Sequence, residues 1–161
     1  DIPHLARELK RLRQSLGPET EAMMQRHEAE GSIEHAEYEA AVTIMNHRHV
    51  CRLDVWPDAV NRSLSDWSMD PYKTIWGNNE FSPTGNIKDW NRVPDLPRIS
   101  QPALVMCGEH DHLTPACSQL MHDALPDSRI KVLTGASHLS MWEVPDAYFE
   151  LLMNFLDGQR A

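Results

Sequence analysis

The sequence predicts an α/β fold in which a helical first half precedes a second half built on parallel strands. Three observations lead to this: apolar residues at helical spacing in the first half, alternating strand and helix patterns in the second, and polar residues after both predicted strands. Such alternation is typical of parallel strands joined by right-handed crossovers. Two strands alone cannot bury both faces of a sheet, so we expect the sheet to continue in polypeptide outside this chain.

Five helices are expected in the first half. Leucines at helical spacing mark the first helix, which a glycine–proline pair ends: Leu5, Leu9, Leu12 and Leu16, then Gly17-Pro18. The pattern predicts the other four over residues 19–30, from residue 32 onward, over 57–66 and over 70–77. Ser32 is the expected cap of the third helix, and Pro57 suits the first turn of the fourth.

A loop-rich stretch rich in asparagine, proline and glycine separates the two halves over residues 77–101. We predict a domain boundary within it, which gives one domain at 1–90 and another at 91–161. The wholly apolar run 103–107 indicates a buried strand. A helix over 115–125, a strand over 129–133 and a helix over 145–156 are expected to follow.

Composition excludes several classes of function. The formal net charge is −9, from 15 lysine and arginine against 24 aspartate and glutamate residues, which argues against nucleic acid or an anionic membrane as a partner. No apolar run approaches the roughly 18 residues needed to span a bilayer. Three cysteines do not form a disulfide framework, which favours a cytoplasmic location.

An acid and a histidine follow the two predicted strands. Asp111 comes just after the first strand and His138 just after the second, with one helix predicted between them. In open parallel sheets the functional groups collect beyond the carboxyl ends of the strands. A carboxylate that orients a histidine is two-thirds of a hydrolytic triad. The alternative is that Asp111 is a turn or cap residue and His138 a loop histidine; their matching positions favour the catalytic interpretation.

Neither a metal nor a cofactor is expected, although the chain has nine histidines. His47 and His49 would diverge by about 200° on a helix, so they cannot share an ion there. Neither His-x3-His nor Cys-x2-Cys spacing accompanies them. Four tryptophans fall in or next to the predicted helical half, where core packing is their ordinary role and a pocket wall is the alternative: Trp56, Trp67, Trp76 and Trp90.

A set of motifs in order resembles the proline iminopeptidases, which are serine aminopeptidases of the α/β-hydrolase fold. The motifs lie at residues 53–57, 79–81, 84–90, 108–115 and 136–143. The resemblance covers essentially the whole chain. It implies that residues 1–90 are an all-helical cap domain and that residues 91–161 are the C-terminal portion of the α/β-hydrolase fold, with its last two parallel strands and helices.

The same resemblance implies roles for individual residues. Asp111 is the acid of the triad and His138 its base, while Glu80 binds the free amino group of the substrate. Several relatives have a second glutamate directly after the catalytic aspartate, where this chain has His112. A neutral histidine can still accept a hydrogen bond from an amine, so His112 is also a candidate substrate-binding residue. Activity on substrates whose N-terminal residue is not proline is therefore an open alternative.

The nucleophile of such a triad is missing from this sequence. No Gly-x-Ser-x-Gly occurs, and Ser137, beside His138, lies on the wrong loop to replace it. In α/β-hydrolases the nucleophile precedes the acid and the histidine, so an N-terminal half of the core is the expected partner. The chain alone is expected to be inactive.

The predicted function is a serine aminopeptidase that releases an N-terminal residue, preferably proline, from a peptide or amino-acid amide with a free amine. Two alternatives stay open at this point. One is an amino-acid amidase or esterase of the same fold, and the other is a non-catalytic helical interaction or metal-binding module.

Overall fold

The computed structural model describes residues 1–158, and the final residues of the predicted second domain, 159–161, lie outside the described residues. Five helices form the first half, as the sequence predicts. They are α1 (Ile2–Gln14), α2 (Pro18–Glu30), α3 (Ala36–His49), α4 (Asp58–Ser65) and α5 (Met69–Ile75). Leu5 and Leu9 of the predicted leucine pattern are buried on α1, as that pattern leads us to expect.

Helix α3 begins later than the sequence predicts. Ser32 does not cap it, because its hydroxyl is hydrogen-bonded to Nδ1 of the buried His27 at 2.7 Å. The helix begins instead at Ala36, and the ring of His35 accepts a hydrogen bond from the backbone N–H of Glu37. A contact with a residue five positions earlier in the sequence has therefore taken the side chain that the local pattern offers as a cap.

A short antiparallel pair follows the helices and interrupts the otherwise helical first half. Strands β1 (Gly77–Asn79) and β2 (Ser82–Pro83) pair with an irregular register, and Glu80 lies in the turn between them. Gly77 has a φ of 134°, and a Cβ there would lie 2.6 Å from the carbonyl oxygen of Ser82. Glycine is therefore required for this tight pairing.

The second half contains the predicted alternation of strand and helix. After a 3-10 helix (Val93–Arg98) come β3 (Ala103–Gly108), α6 (Pro115–Ala124), β4 (Ser128–Leu133), α7 (Ser140–Glu143) and α8 (Pro145–Asp157). The two longer strands pair in parallel, with Ala103 opposite Ser128 and Gly108 opposite Leu133. Within the part of the chain that the structure describes, no helix has both the length and the apolarity to cross a membrane.

The main apolar core joins residues from both predicted domains. Ile2, Leu5 and Leu9 of α1 pack with Met45 of α3 and with Phe81, which follows the β1–β2 turn. Three partly buried residues of the second half pack against this group: Leu113, Cys117 and Leu139. The division of the chain at residue 90 stays a prediction.

Apolar surface remains uncovered on α8. Phe149, Met153 and Leu156 recur at helical spacing, and each is more than two-fifths exposed. Val132 on strand β4 is similarly exposed. Apolar side chains exposed on the helices and strands of a sheet protein are ordinarily covered by a further layer.

Candidate active site

The loops that follow β3 and β4 meet at one edge of the sheet. A Cβ on Gly108 would lie 2.3 Å from the carbonyl oxygen of Ser137, so only glycine lets the two loops approach this closely. The backbone N–H of His110 donates to the carbonyl of Ala136 at 2.9 Å and locks the loops together. This contact brings the residues that follow Gly108 next to those that follow Ala136.

Asp111 and His138, the predicted acid and base, are hydrogen-bonded. Nδ1 of His138 lies 3.1 Å from Oδ1 and 3.4 Å from Oδ2 of Asp111. Because an ionised carboxylate only accepts, Nδ1 carries the proton and Nε2 is the nitrogen available to accept one. The backbone N–H of Leu113 donates to Oδ1 of Asp111 at 2.8 Å and fixes the carboxylate. The Asp111 side chain is 7% exposed, whereas that of His138 is 38% exposed.

The protonation of His138 is tuned by opposing effects. Burial lowers the pKa of His138, but the hydrogen bond to Asp111 and the charge of that carboxylate raise it. The charges of Glu80 and Glu143 raise it further. The net result is a pKa above the ordinary value of histidine, so Asp111 stabilises the imidazolium form.

His112 lies between the two predicted functional carboxylates. Its Nε2 is 3.6 Å from Oε2 of Glu80, and its Nδ1 is 3.5 Å from Oδ1 of Asp111. The ring also contacts the rings of Phe81 and His138, with centroids 5.8 Å and 4.4 Å away. Its side chain is only 3% exposed. The structure therefore brings all four predicted site residues into one cluster, with His112 at its buried centre.

Glu80 is held at the tip of the short β1–β2 turn. Oδ1 of Asn79 accepts a hydrogen bond from the backbone N–H of Phe81, which closes the turn around Glu80. Nδ2 of Asn79 donates to the hydroxyl of Tyr38 at 2.6 Å and fastens the turn to α3. Tyr72 lies beside Glu80; burial raises the pKa of its phenol, and the charge of Glu80 raises it further. No pattern in the sequence singled out Tyr72.

The end of α3 contacts both the loop after β3 and the loop after β4 through His49. Its carbonyl oxygen accepts hydrogen bonds from the backbone N–H groups of His112 and His138, each at 3.3 Å. Its Nδ1 donates to the carbonyl of His110 at 2.8 Å. Burial lowers the pKa of His49, and the ring therefore remains neutral around pH 7. His49 links the helical half directly to the loops that carry Asp111 and His138.

Glu143 is a second residue that sequence reasoning missed. Its carboxylate accepts hydrogen bonds from the backbone N–H and the hydroxyl of Ser137, the latter at 2.6 Å. It also accepts from the backbone N–H of Arg52. Ser137 is fully buried and its hydroxyl donates to Glu143, so it is not available as a nucleophile. Only its place in the 136–143 motif singled Glu143 out in the sequence.

A cavity of about 590 Å³ opens beside this cluster. Glu80, His112 and His138 line it, together with side chains from α3, α4 and α5, from the segments beside α4 and from residues 139–142. Two of the four tryptophans noted in the sequence, Trp56 and Trp67, belong to the wall. For these two the structure supports the alternative of a pocket wall.

Two groups of side chains within residues 1–158 have metal-ligand atoms within 4.8 Å of one another. They are Asp111, His112 and His138, and His27, His35 and Glu37. In the second group Nε2 of His27 donates to Oε1 of Glu37 at 2.7 Å. An ion at either place would have to replace hydrogen bonds that the residues already make to one another. The expectation that the chain uses neither metal nor cofactor stays a prediction.

Comparison with known proteins relates the chain to one group of hydrolases. It is 32% identical over 157 residues to a proline iminopeptidase of Saccharolobus solfataricus, which covers 97% of this chain and 51% of that protein. The solved structure of the Mycobacterium smegmatis proline iminopeptidase matches with a TM-score of 0.87 at 35% identity. That of VinJ matches with a TM-score of 0.92 at 33% identity. Each structural match covers 98% of this chain and 54% of the other. A scan against protein-family models finds no match.

The fold and the site therefore define the chain as part of an α/β-hydrolase, which confirms the predicted fold class. Within that class it is homologous to the proline iminopeptidases. The chain spans about half the length of the curated relatives it matches.

Proposed function

We propose that this chain supplies the acid, the base and the amine-binding carboxylate of a serine aminopeptidase. The observation that carries the proposal is the hydrogen bond between Nδ1 of His138 and Asp111, on the edge of a cavity that Glu80 also lines. The names of the homologous proteins support release of an N-terminal residue, with proline as the first candidate. The substrate is a peptide or amino-acid amide with a free N-terminal amine.

The chemistry follows from the tautomer that Asp111 imposes. Nε2 of His138 takes the proton of a serine hydroxyl as that oxygen attacks the scissile carbonyl, and later delivers it to the leaving amine. Asp111 stays ionised and stabilises the imidazolium between those two steps. The raised pKa of His138 is consistent with this stabilisation, because the carboxylate favours the charged ring.

Glu80 provides the recognition of the N-terminus in this proposal. Its side chain is 27% exposed and borders the cavity, so it can meet an ammonium group in a partly desolvated place where the ion pair is strengthened. The His112 side chain is only 3% exposed and its Nε2 lies 3.6 Å from Oε2 of Glu80, so its main contribution in this proposal is to position Glu80. A direct hydrogen bond from the substrate amine to His112 stays a prediction.

The nucleophile belongs to an N-terminal half of the hydrolase core in this proposal. The sequence has no Gly-x-Ser-x-Gly, and Ser137 is committed to Glu143. The exposed apolar side chains of α8 and β4 are a suitable surface for such a half, and the relatives are about twice as long as this chain. Without that half the chain lacks both the serine and the amides of an oxyanion hole, so it is expected to be inactive.

Hydrolysis of prolyl-, alanyl- and leucyl-naphthylamide by the enzyme assembled with its N-terminal half tests this function. Asp111→Asn is expected to lower kcat roughly a hundredfold or more, because the histidine loses its orienting anion. Asp127→Asn, an exposed aspartate next to β4, is the matched control and is expected to change nothing. Unchanged activity in Asp111→Asn would remove the triad assignment.

The same substrates separate the proposal from its nearest alternative. His112 in place of a second glutamate favours an amidase or esterase with a looser requirement for the free amine. N-acetylation of the substrate distinguishes the two. An aminopeptidase that depends on Glu80 loses its activity on acetylated naphthylamides, whereas an amidase retains it.

A further inference from the structure

We propose that the cavity beside Glu80 takes a bulky apolar group, aromatic or branched aliphatic, attached to the amine that Glu80 binds. The ligand class is therefore a singly charged amine that carries an apolar group larger than the ring of proline. The inference rests on the proposed role of Glu80 as the amine-binding residue. It goes further by assigning a substrate class that the names of the relatives do not contain.

The size of the cavity favours a bulky ligand. The cavity has a volume of about 590 Å³, well within the range of about 300–1,000 Å³ that holds drug-sized ligands. A pyrrolidine ring occupies only a small part of such a space and leaves most of the apolar wall in contact with water. A phenyl, indole or branched aliphatic group covers more of that wall and gains the free energy of the additional burial.

The wall of the cavity is largely apolar. Beyond the end at Glu80, six apolar side chains from α3, α4 and the segments beside α4 form much of the lining: Val42, Val50, Trp56, Val60, Leu64 and Trp67. Leu64 and Trp67 in this wall are 38% and 41% exposed, so this part of the apolar lining is open to a ligand. An exposed apolar concavity next to polar groups is typical of a ligand-binding site.

The charge at the cavity matches a singly charged amine. Among the described residues that line the cavity, Glu80 carries the only carboxylate. The phenol of Tyr72 and the ring of His112 stand next to it, and neither adds a second anion. One carboxylate at one end of an apolar cavity fits one ammonium group joined to an apolar body. A second cationic group would lose its hydration without finding another carboxylate among the described lining residues.

Binding of three probes measures this preference without any requirement for catalysis. Phenylalaninamide, tryptophanamide and prolinamide are titrated by calorimetry into the 161-residue chain and into the assembled enzyme with Asp111→Asn, which slows hydrolysis of these amides and leaves the lining of the cavity unchanged. Phenylalaninamide and tryptophanamide are expected to bind at least about tenfold more tightly than prolinamide, from the larger apolar area that they bury.

Two serines on α4 provide a matched pair of variants. Ser63 lines the cavity, whereas Ser65 lies on the same helix outside the lining, and both are exposed. Ser63→Trp is expected to abolish the advantage of the two aromatic probes and to leave prolinamide within about twofold. Ser65→Trp is expected to leave all three affinities unchanged. Ala59→Trp, from the same wall, repeats the test if Ser63→Trp folds poorly.

The outcomes separate this inference from the proposed function. Prolinamide binding as tightly as the aromatic probes, or equal effects of the filling and the control variants, would overturn the assignment of a bulky apolar ligand. Glu80→Gln is expected to weaken all three probes alike. If it weakens none of them, the amine-binding role of Glu80 is wrong, whatever the order of the probes.

Discussion

The carboxylate of Glu143 binds Ser137 twice, through the backbone N–H and through the hydroxyl of that serine. Ser137 directly precedes His138, so Glu143 determines where the loop with the predicted base leaves the sheet. The same carboxylate accepts a hydrogen bond from the backbone N–H of Arg52, which lies in the segment after α3. One side chain therefore joins the helical half of the chain to the histidine loop.

Glu143→Gln is predicted to lower kcat/KM of the assembled enzyme about tenfold. A hydrogen bond to a charged group contributes about 1.5–3 kcal/mol, and the neutral amide of glutamine keeps only part of that energy. It is also predicted to lower the pKa of His138, since the charge of Glu143 raises that pKa. NMR titration of the His138 ring measures the second effect. Glu150→Gln on α8, an exposed glutamate, is the control. An unchanged midpoint together with unchanged activity would show that Glu143 does not position His138.

The pH dependence of catalysis follows from the raised pKa of His138. Only the neutral ring can accept a proton, so kcat/KM is predicted to rise with pH through a midpoint above the ordinary histidine value. In Asp111→Asn the anion that stabilises the imidazolium is gone, so the midpoint is predicted to move to lower pH. A midpoint that stays in place or rises in this variant would contradict the account of the pair.

Substitution of His49 tests the contact between α3 and the loops that carry Asp111 and His138. His49→Leu is predicted to lower the free energy of unfolding by about 1–3 kcal/mol, because the carbonyl of His110 loses its donor. His49→Asn can present an N–H at nearly the same position and is predicted to recover much of that loss. Urea unfolding of the two variants measures the difference. Equal stability of both would mean that the Nδ1 contact contributes nothing.

Gly108 sets the approach of the two loops. Gly108→Ala is predicted to destabilise the chain by about 1–3 kcal/mol, because the added methyl group meets the carbonyls of Ser137 and Ala136. Asp111 and His138 are expected to separate, which a lower His138 pKa would report. Gly158→Ala, whose Cβ would lie 3.3 Å from the carbonyl oxygen of Asn154, is the milder comparison. A Gly108→Ala variant as stable as that comparison would show that the loops can move apart freely.

Much of the frame could be predicted from local sequence. The apolar run at Ala103 and the proline at the start of α6 fix a strand and a helix almost by themselves. Their alternation predicted the parallel pairing and placed Asp111 and His138 at one sheet edge, where the structure has them. Apolar runs and prolines at helix starts act through neighbours within a few residues, which is why these parts of the pattern were informative.

The remainder depended on side-chain contacts that the sequence pattern does not encode, most of them between residues distant in sequence. Ser32 has the local signature of a cap, but His27 engages its hydroxyl and α3 begins four residues later. Glu143 and His49 act through backbone groups from the other half of the chain, and no local pattern identifies such partners. The burial of His112 beneath Glu80 was likewise invisible in the sequence, because it requires the β1–β2 turn to fold over the β3 loop.

Labelling the assembled enzyme with a serine-reactive fluorophosphonate, followed by mass analysis of each half, tests the central claim most directly. The adduct is predicted to form on a serine outside these 161 residues, and at a rate that falls roughly a hundredfold or more in His138→Gln. An adduct on Ser137 or another residue of this chain, or labelling that is indifferent to His138, would contradict the claim that this chain supplies the acid and base of a divided triad.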